Sequence, residues 1–121
     1  MPRLCAQGDI LIERVENIPA AGRLVQSVTN GSIIVAKGEA PGHHHRIFGL
    51  SLTMYRDDAL AREIPPGLYV GHLQVNSPTA RLEHEEHAPI ELARGTYRVR
   101  RQRQLEPTDA GFDGRFAAVE D

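Results

Sequence analysis

The hydrophobic residues of this chain come in short runs between turn-forming residues, and the runs have the spacing of β-strands. Residues 8–15 are rich in Ile, Leu and Val and predict a first strand. Residues 23–28 and 32–37 predict two more, and the Asn30-Gly31 pair between them predicts a tight hairpin. Because no segment keeps an apolar period of 3.6 residues, long helices are not expected.

The second half of the chain continues the same pattern. Turn-forming triplets at 76–78 and 93–95 interrupt it, and residues 57–63 fit either one helical turn or a solvated loop. The strands predicted here are 50–55, 68–75, 79–84 and 96–105. Short strands at this spacing are typical of a sandwich or barrel. We therefore expect an all-β fold, a small single-domain β-barrel or sandwich over residues 1–121, with 106–121 as a loosely ordered tail.

Composition narrows the class of protein. A chain of 121 residues fits one domain, and with 40% hydrophobic residues and no Trp its core must consist of aliphatic side chains. The single cysteine, Cys5, excludes an internal disulfide and fits a reducing compartment. A net charge of -2 gives no general reason to expect nucleic-acid or membrane binding. Since no signal peptide or membrane span is evident, the expected location is the cytoplasm.

Histidines supply the strongest chemical signal. His43 and His45 have the spacing that points two side chains of one strand to the same face. His84 and His87 form a second group, in which either a bend brings both imidazoles together or His84 pairs with Glu86. Because imidazole is the commonest protein metal ligand, His43, His45, His84 and His87 are the predicted metal ligands.

Two such groups on distant strands can meet inside a small barrel, where they would provide three or four nitrogen and oxygen ligands. That set suits a divalent metal, with zinc as the first choice and iron, manganese or nickel as alternatives. The competing interpretation is that these are surface or structural histidines. His44 would point to the opposite face, and His72 is interpreted as an ordinary strand residue.

Arginines crowd the strand that follows the second histidine group. The favoured interpretation is that they form ion pairs with Glu83, Glu85, Glu86 or Glu91 on a neighbouring strand. Two alternatives are that Tyr97, Arg101 and Arg103 bind a small anionic ligand at the mouth of a barrel, and that the strand forms a phosphate-contacting face for nucleic acid. Nucleic acid is the least favoured of the three because aromatic side chains that could stack on bases are scarce.

Two functions follow from these residues. The first is a metal-binding β-barrel module of unassigned activity, in which protein ligands close the site. The second is a metal-dependent hydrolase, lyase or oxygenase, with Glu86 as the catalytic base and Arg101 orienting an anionic substrate. The module is slightly favoured because a small chain has little wall for a deep pocket. Association of two copies through an edge strand is also expected.

Gly42-His43-His44-His45, followed later by His84 or His87, resembles the metal-site pattern of the cupin family. In that pattern a glycine-rich turn precedes an H-x-H pair, and a later strand adds another histidine. The resemblance implies a cupin-like jelly roll with a metal site, and it is the source of the enzyme alternative.

Three strings that span most of the chain resemble a family of small uncharacterised bacterial and phage proteins. The strings are Gln7-Gly8-Asp9-Ile10-Leu11, GEAPGHHHR at 38–46, and 84–103, which begins HEEH and ends RQR. The resemblance implies that His43, His45, His84 and His87 belong to the shared pattern and that His44 is a variable position. It implies no activity.

Overall fold

The computed structural model describes residues 4–37, 44–64 and 68–102. Strands dominate these residues, and one short helix interrupts them. The elements are β1 (Leu4–Gln7), β2 (Ile10–Val15), β3 (Arg23–Lys37), β4 (His44–Arg56), α1 (Asp58–Glu63), β5 (Tyr69–Glu83) and β6 (Ile90–Arg101). The predicted all-β, single-domain fold is confirmed, and residues 57–63 form the helical turn rather than a loop.

All six strands belong to one antiparallel sheet in the order β1-β2-β6-β5-β4-β3. Sequential strands are neighbours except where β2 pairs with β6, from Ile10 opposite Arg101 to Val15 opposite Thr96. In the described residues the sheet is not closed, so β1 and β3 are its two edges. The architecture is thus a single open sheet rather than a closed barrel.

The predicted hairpin at Asn30-Gly31 is wrong. Residues 23–37 form one strand, and β3 stays paired with β4 on both sides of Asn30, with Thr29 opposite Ser51 and Gly31 opposite Gly49. Asn30 takes a left-handed backbone conformation, with φ of 50°. Asparagine tolerates that conformation better than most residues, so the Asn-Gly signal marks a local kink inside a strand.

The predicted turns at 76–78 and 93–95 are also irregularities within long strands. From Val75 to Thr79 strand β5 advances four residues while its partner β6 moves only two, from Gly95 to Ala93. The extra residues form a bulge, which bends a strand and increases its twist. Since Gly31 pairs with Gly49, and Val75 pairs with Gly95, the irregularities of β3 to β6 line up across the sheet. We call this line the crease.

The core lies on one face of the folded sheet, as the two-residue period of a strand requires. On β6, for example, Tyr97 and Val99 are two residues apart and fully buried, and Leu92 is fully buried beyond Gly95, where the alternation shifts by one residue. Aliphatic residues from both sides of the crease join one cluster: Ile10, Ile12, Ile33, Val35, Ile47, Leu52, Met54, Leu73, Val75, Ala80, Leu82, Leu92, Tyr97 and Val99. The two halves of the sheet therefore fold toward each other about the crease.

Contacts of the first strand show where the folded halves meet. Gln7, at the end of edge strand β1, donates hydrogen bonds from Nε2 to the carbonyl oxygens of Leu82 and Ala88, at 3.0 and 2.9 Å. Strands β2 and β6 separate β1 from β5 in the sheet order. These bonds thus join the β1–β2 turn to the far end of β5, and this junction carries the histidines.

Helix α1 lies near β5, on the side where His72 projects. Asp57 caps the helix by accepting hydrogen bonds from the backbone N–H groups of Ala59 and Leu60. The backbone N–H of Asp57 donates to the Tyr69 hydroxyl at 3.1 Å, and that hydroxyl lies 2.7 Å from Nδ1 of His72. The phenol hydrogen is not used by the bond from Asp57, so the hydroxyl can donate it to Nδ1 when His72 is a neutral imidazole with its hydrogen on Nε2.

Acid is expected to destabilise the protein partly through His72, which is only 4% exposed. Burial, and then the charge of Arg98, lowers the pKa of His72, whereas Asp57 opposes the shift. A lowered folded pKa gives stability that is present above the unfolded pKa of about 6.5 and is lost as the pH falls toward the folded value.

We expect the free energy of unfolding of metal-free protein to fall between about pH 7 and pH 5, and to fall less steeply in His72→Gln. Urea denaturation at a series of pH values measures both slopes. His45 also has a lowered pKa and contributes equally to both proteins. Equal slopes would show that His72 does not contribute.

Candidate histidine site

The site forms from three segments that the folded sheet brings together. The β1–β2 turn supplies Gln7, Gly8 and Asp9, and His45 is the second residue of β4. His84 and His87 belong to the loop between β5 and β6. The sequence predicted that His45 would meet this later pair, and the structure places them together.

The three imidazole rings are near neighbours. The centroid of the His45 ring is 4.4 Å from that of His84 and 6.2 Å from that of His87. The His84 and His87 centroids are 4.6 Å apart. Three side chains that are far apart in sequence thus share one small volume.

His45 is the buried member of the group, with 1% of its surface exposed. Its Nδ1 lies 3.0 Å from Oε1 of Gln7. The Gln7 amide orientation is fixed because its Nε2 donates to the carbonyl oxygens of Leu82 and Ala88. Oε1 can only accept, so Nδ1 of His45 carries the hydrogen and donates it.

The other nitrogen of His45 faces a carboxylate. Nε2 lies 3.2 Å from Oδ1 of Asp9, whose side chain is 12% exposed. The second oxygen of Asp9, Oδ2, is 3.0 Å from both Nε and Nη2 of Arg101. Asp9 therefore holds the arginine with one oxygen and turns the other toward the imidazole.

Burial is the largest influence on the pKa of His45, and it lowers that pKa. The nearby His84 and His87 also lower it, whereas the charge and hydrogen bond of Asp9 raise it. Desolvation disfavours an imidazolium that would have to sit among other imidazoles. The site thus favours the neutral form of His45 relative to a free histidine.

Local backbone contacts hold the loop that carries the other histidines. The backbone N–H of Glu86 donates to Nδ1 of His84 at 3.0 Å, and Oε1 of Glu85 accepts from the backbone N–H of His44 at 2.8 Å. Within residues 4–37, 44–64 and 68–102, no three His, Cys, Asp or Glu side chains are arranged to hold a metal ion as they stand. The bond from Glu86 engages the lone pair of Nδ1 of His84.

Gly8 lets the turn approach the imidazoles. It adopts a left-handed φ of 58°, and a Cβ at this position would lie 2.9 Å from Nε2 of His87 and 3.0 Å from Cε1 of His45. Both the backbone conformation and the lack of space favour glycine. The turn therefore packs its backbone directly against two of the three rings.

The remaining predicted residues are placed as follows. His43 and Arg103 lie outside the described residues, as does the tail at 106–121. Tyr97 is fully buried in the core, where its hydroxyl donates to the carbonyl oxygen of Ala93. Glu86 is exposed.

The arginines of β6 lie on both faces of the strand. Arg101 points to the site and pairs with Asp9, and Arg98 on the other face pairs with Glu13. The ion-pair interpretation is thus realised at these two positions, but with acids of the β1–β2 segment instead of the glutamates at 83–91. Anion binding by Arg101 stays a prediction.

Sequence reasoning missed Gln7 and Asp9 as members of the site. Both stand in the Gln7-Gly8-Asp9-Ile10-Leu11 string, on which the sequence resemblance to an uncharacterised family partly rests. A polar pair flanking a glycine at a strand end was the available signal.

Comparison with known proteins agrees with the resemblance at the level of a family. No curated protein and no solved structure matches the chain. Among the described residues, no helix is long and apolar enough to cross a membrane. A family described as "Domain of unknown function (DUF8820)" matches residues 6–102, which include the β1–β2 turn and all three site histidines of the structure. The chain therefore belongs to the DUF8820 family.

Proposed function

We propose that this protein is a β-sheet module that binds one divalent metal ion through His45, His84 and His87, with His43 as a further ligand. One observation carries the proposal: three imidazoles from β4 and the β5–β6 loop have ring centroids within 6.2 Å of one another, next to the Asp9 carboxylate, whose side chain is 12% exposed. Imidazoles and carboxylates together are typical ligands of zinc, iron, manganese and nickel.

Binding requires small side-chain movements. His84 must give up the hydrogen bond from the Glu86 N–H in either case: coordination through Nδ1 uses the lone pair that accepts this bond, and coordination through Nε2 requires the tautomer with its hydrogen on Nδ1. His84 and His87 are only partly buried, so their rings can rotate without disturbing the core. His45 needs no such change, because Gln7 already holds its tautomer.

The metal-dependent enzyme is the second candidate, and the described grooves do not favour it. One groove of about 420 Å³ lies at the crease and is lined by Phe48, Leu50 and Pro78 among others. Another, of about 200 Å³, reaches His84 but is otherwise lined by residues of the outer face such as Arg46. Neither joins His45 and Arg101 in one cavity, so the module is the better supported function.

Metal titration of untagged, chelator-treated protein tests the proposal. We expect one zinc ion per chain in competition with a chromophoric chelator, and affinity about tenfold or more weaker in His87→Ala. His44→Ala is the matched control, because it removes a neighbouring imidazole of β4 that is not part of the cluster. Failure of the wild type to bind, or equal losses in both variants, would contradict the proposal.

A further inference from the structure

The contact between His45 and Asp9 brings two electron-rich atoms together with no positive charge between them. Gln7 accepts from Nδ1 of His45, so in the neutral imidazole the lone pair of Nε2 faces the carboxylate oxygen Oδ1, 3.2 Å away. Two electron-rich atoms at this distance, one of them on the buried ring of His45, need a positive charge between them. Either a proton or a metal ion would supply it.

The two oxygens of the Asp9 carboxylate have different partners. Arg101 binds Oδ2 through two nitrogens, each at 3.0 Å. Oδ1 points instead toward the imidazole. Arg101 therefore anchors Oδ2 and leaves the other oxygen directed at the histidine cluster.

We propose that Asp9 is an oxygen ligand of the metal through Oδ1 and that Gln7 is a positioning residue for His45. This inference rests on the metal site proposed above. Two ligand atoms of a tetrahedral ion, each about 2.0–2.1 Å from it, lie about 3.3 Å apart. The observed 3.2 Å between Nε2 of His45 and Oδ1 of Asp9 matches that separation.

The ligand set then differs from the one expected from sequence alone. Asp9 adds a negative charge to neutral imidazoles, which offsets part of the charge of a buried dication. The ligands of the ion would come from the β1–β2 turn, from β4 and from the loop at 84–89, so the ion would join the two halves of the sheet. A mixed set of nitrogen and oxygen ligands accommodates zinc, iron and manganese.

Gln7 acts through His45 rather than on the ion. Metal-binding histidines usually donate their second ring N–H to an acceptor, which fixes the tautomer and the ring orientation. The Gln7 amide serves as that acceptor, and two carbonyl groups hold it in place. Coordination by His45 is therefore expected at Nε2.

Asp9→Asn tests the inference because it keeps the shape of the side chain and removes its charge. In the zinc competition experiment we expect affinity to fall more than about 100-fold, beyond the usual effect of an outer-shell partner. Asp58→Asn, which removes an exposed carboxylate paired with Arg23, should leave affinity unchanged. Circular dichroism of both variants checks that they fold.

The outcomes separate the two proposals. Wild-type protein that binds zinc while Asp9→Asn binds equally well overturns the role of Asp9 and leaves the histidine site standing. Wild-type protein that does not bind zinc overturns both. Selective loss in Asp9→Asn supports both.

A measurement on the wild type covers the case in which Asp9→Asn does not fold. With ¹³C- and ¹⁵N-labelled protein, zinc should shift the carboxyl resonance of Asp9 and leave that of Asp58 in place. It should also shift Nε2 of His45 while Nδ1 keeps its proton. An unmoved Asp9 resonance overturns its role as a ligand, and coordination at Nδ1 overturns the role of Gln7.

Discussion

Gly8→Ala is expected to abolish detectable zinc binding and to lower the free energy of unfolding by about 1–2 kcal/mol, the cost of a left-handed alanine. The new methyl group would lie 2.9 Å from Nε2 of His87 and 3.0 Å from Cε1 of His45. One or both rings must move away, which separates the ligands. Zinc competition and urea denaturation measure the two effects.

Asn30→Ala is the control for Gly8→Ala. Asn30 is also left-handed, with φ of 50°, but it lies at the crease, away from the histidines. We expect a destabilisation of similar size and unchanged zinc affinity. Equal zinc affinity in Gly8→Ala and the wild type would show that the turn does not set the geometry of the site.

Leu82→Ala is expected to lower the free energy of unfolding by about 2–5 kcal/mol, the range for a buried leucine truncated to alanine. Leu82 is fully buried and pairs with Ile47 on β4. It belongs to the part of β5 that follows the bulge between Val75 and Thr79. This part covers the core only if the sheet folds at the crease. Urea denaturation followed by circular dichroism gives the value.

Arg81→Ala, the adjacent position on the exposed face, is the matched control for Leu82→Ala. It should change stability by less than about 0.5 kcal/mol, as is usual for surface substitutions. A small effect at Leu82 would mean that this half of β5 does not cover the core.

Local patterns in the sequence predicted where the strands lie but not how long they are. The strands predicted at 79–84 and 96–105 lie within β5 and β6 as far as Glu83 and Arg101, and residues 103–105 lie outside the described residues. The Asn30-Gly31 and 93–95 signals were read as turns, yet they are irregularities within β3 and β6. A turn residue marks a change of direction, and only pairing with neighbouring strands decides whether the chain reverses or bends.

Tyr97, Val99 and Arg101 share one face of β6, but the core covers only part of that face. Sequence alternation cannot say how far along a strand the core extends. Tyr97 is inside the core, whereas Arg101, at the strand end, reaches Asp9.

Only part of the candidate site could be predicted from the sequence. Three of its histidines could be grouped because imidazoles are chemically distinctive and their spacing fits strands. Asp9 and Gln7 could not be assigned, because their roles depend on contacts with His45 and with the carbonyl oxygens of Leu82 and Ala88. Those contacts arise only when the sheet folds over at the crease.

X-ray absorption at the zinc edge, on wild-type protein loaded with one equivalent of zinc, tests whether imidazoles of this chain hold the metal. We expect nitrogen and oxygen ligands at about 2.0–2.1 Å, together with the outer-shell scattering of at least two imidazole rings. Zinc surrounded by oxygen alone, without imidazole scattering, would contradict the proposed histidine site.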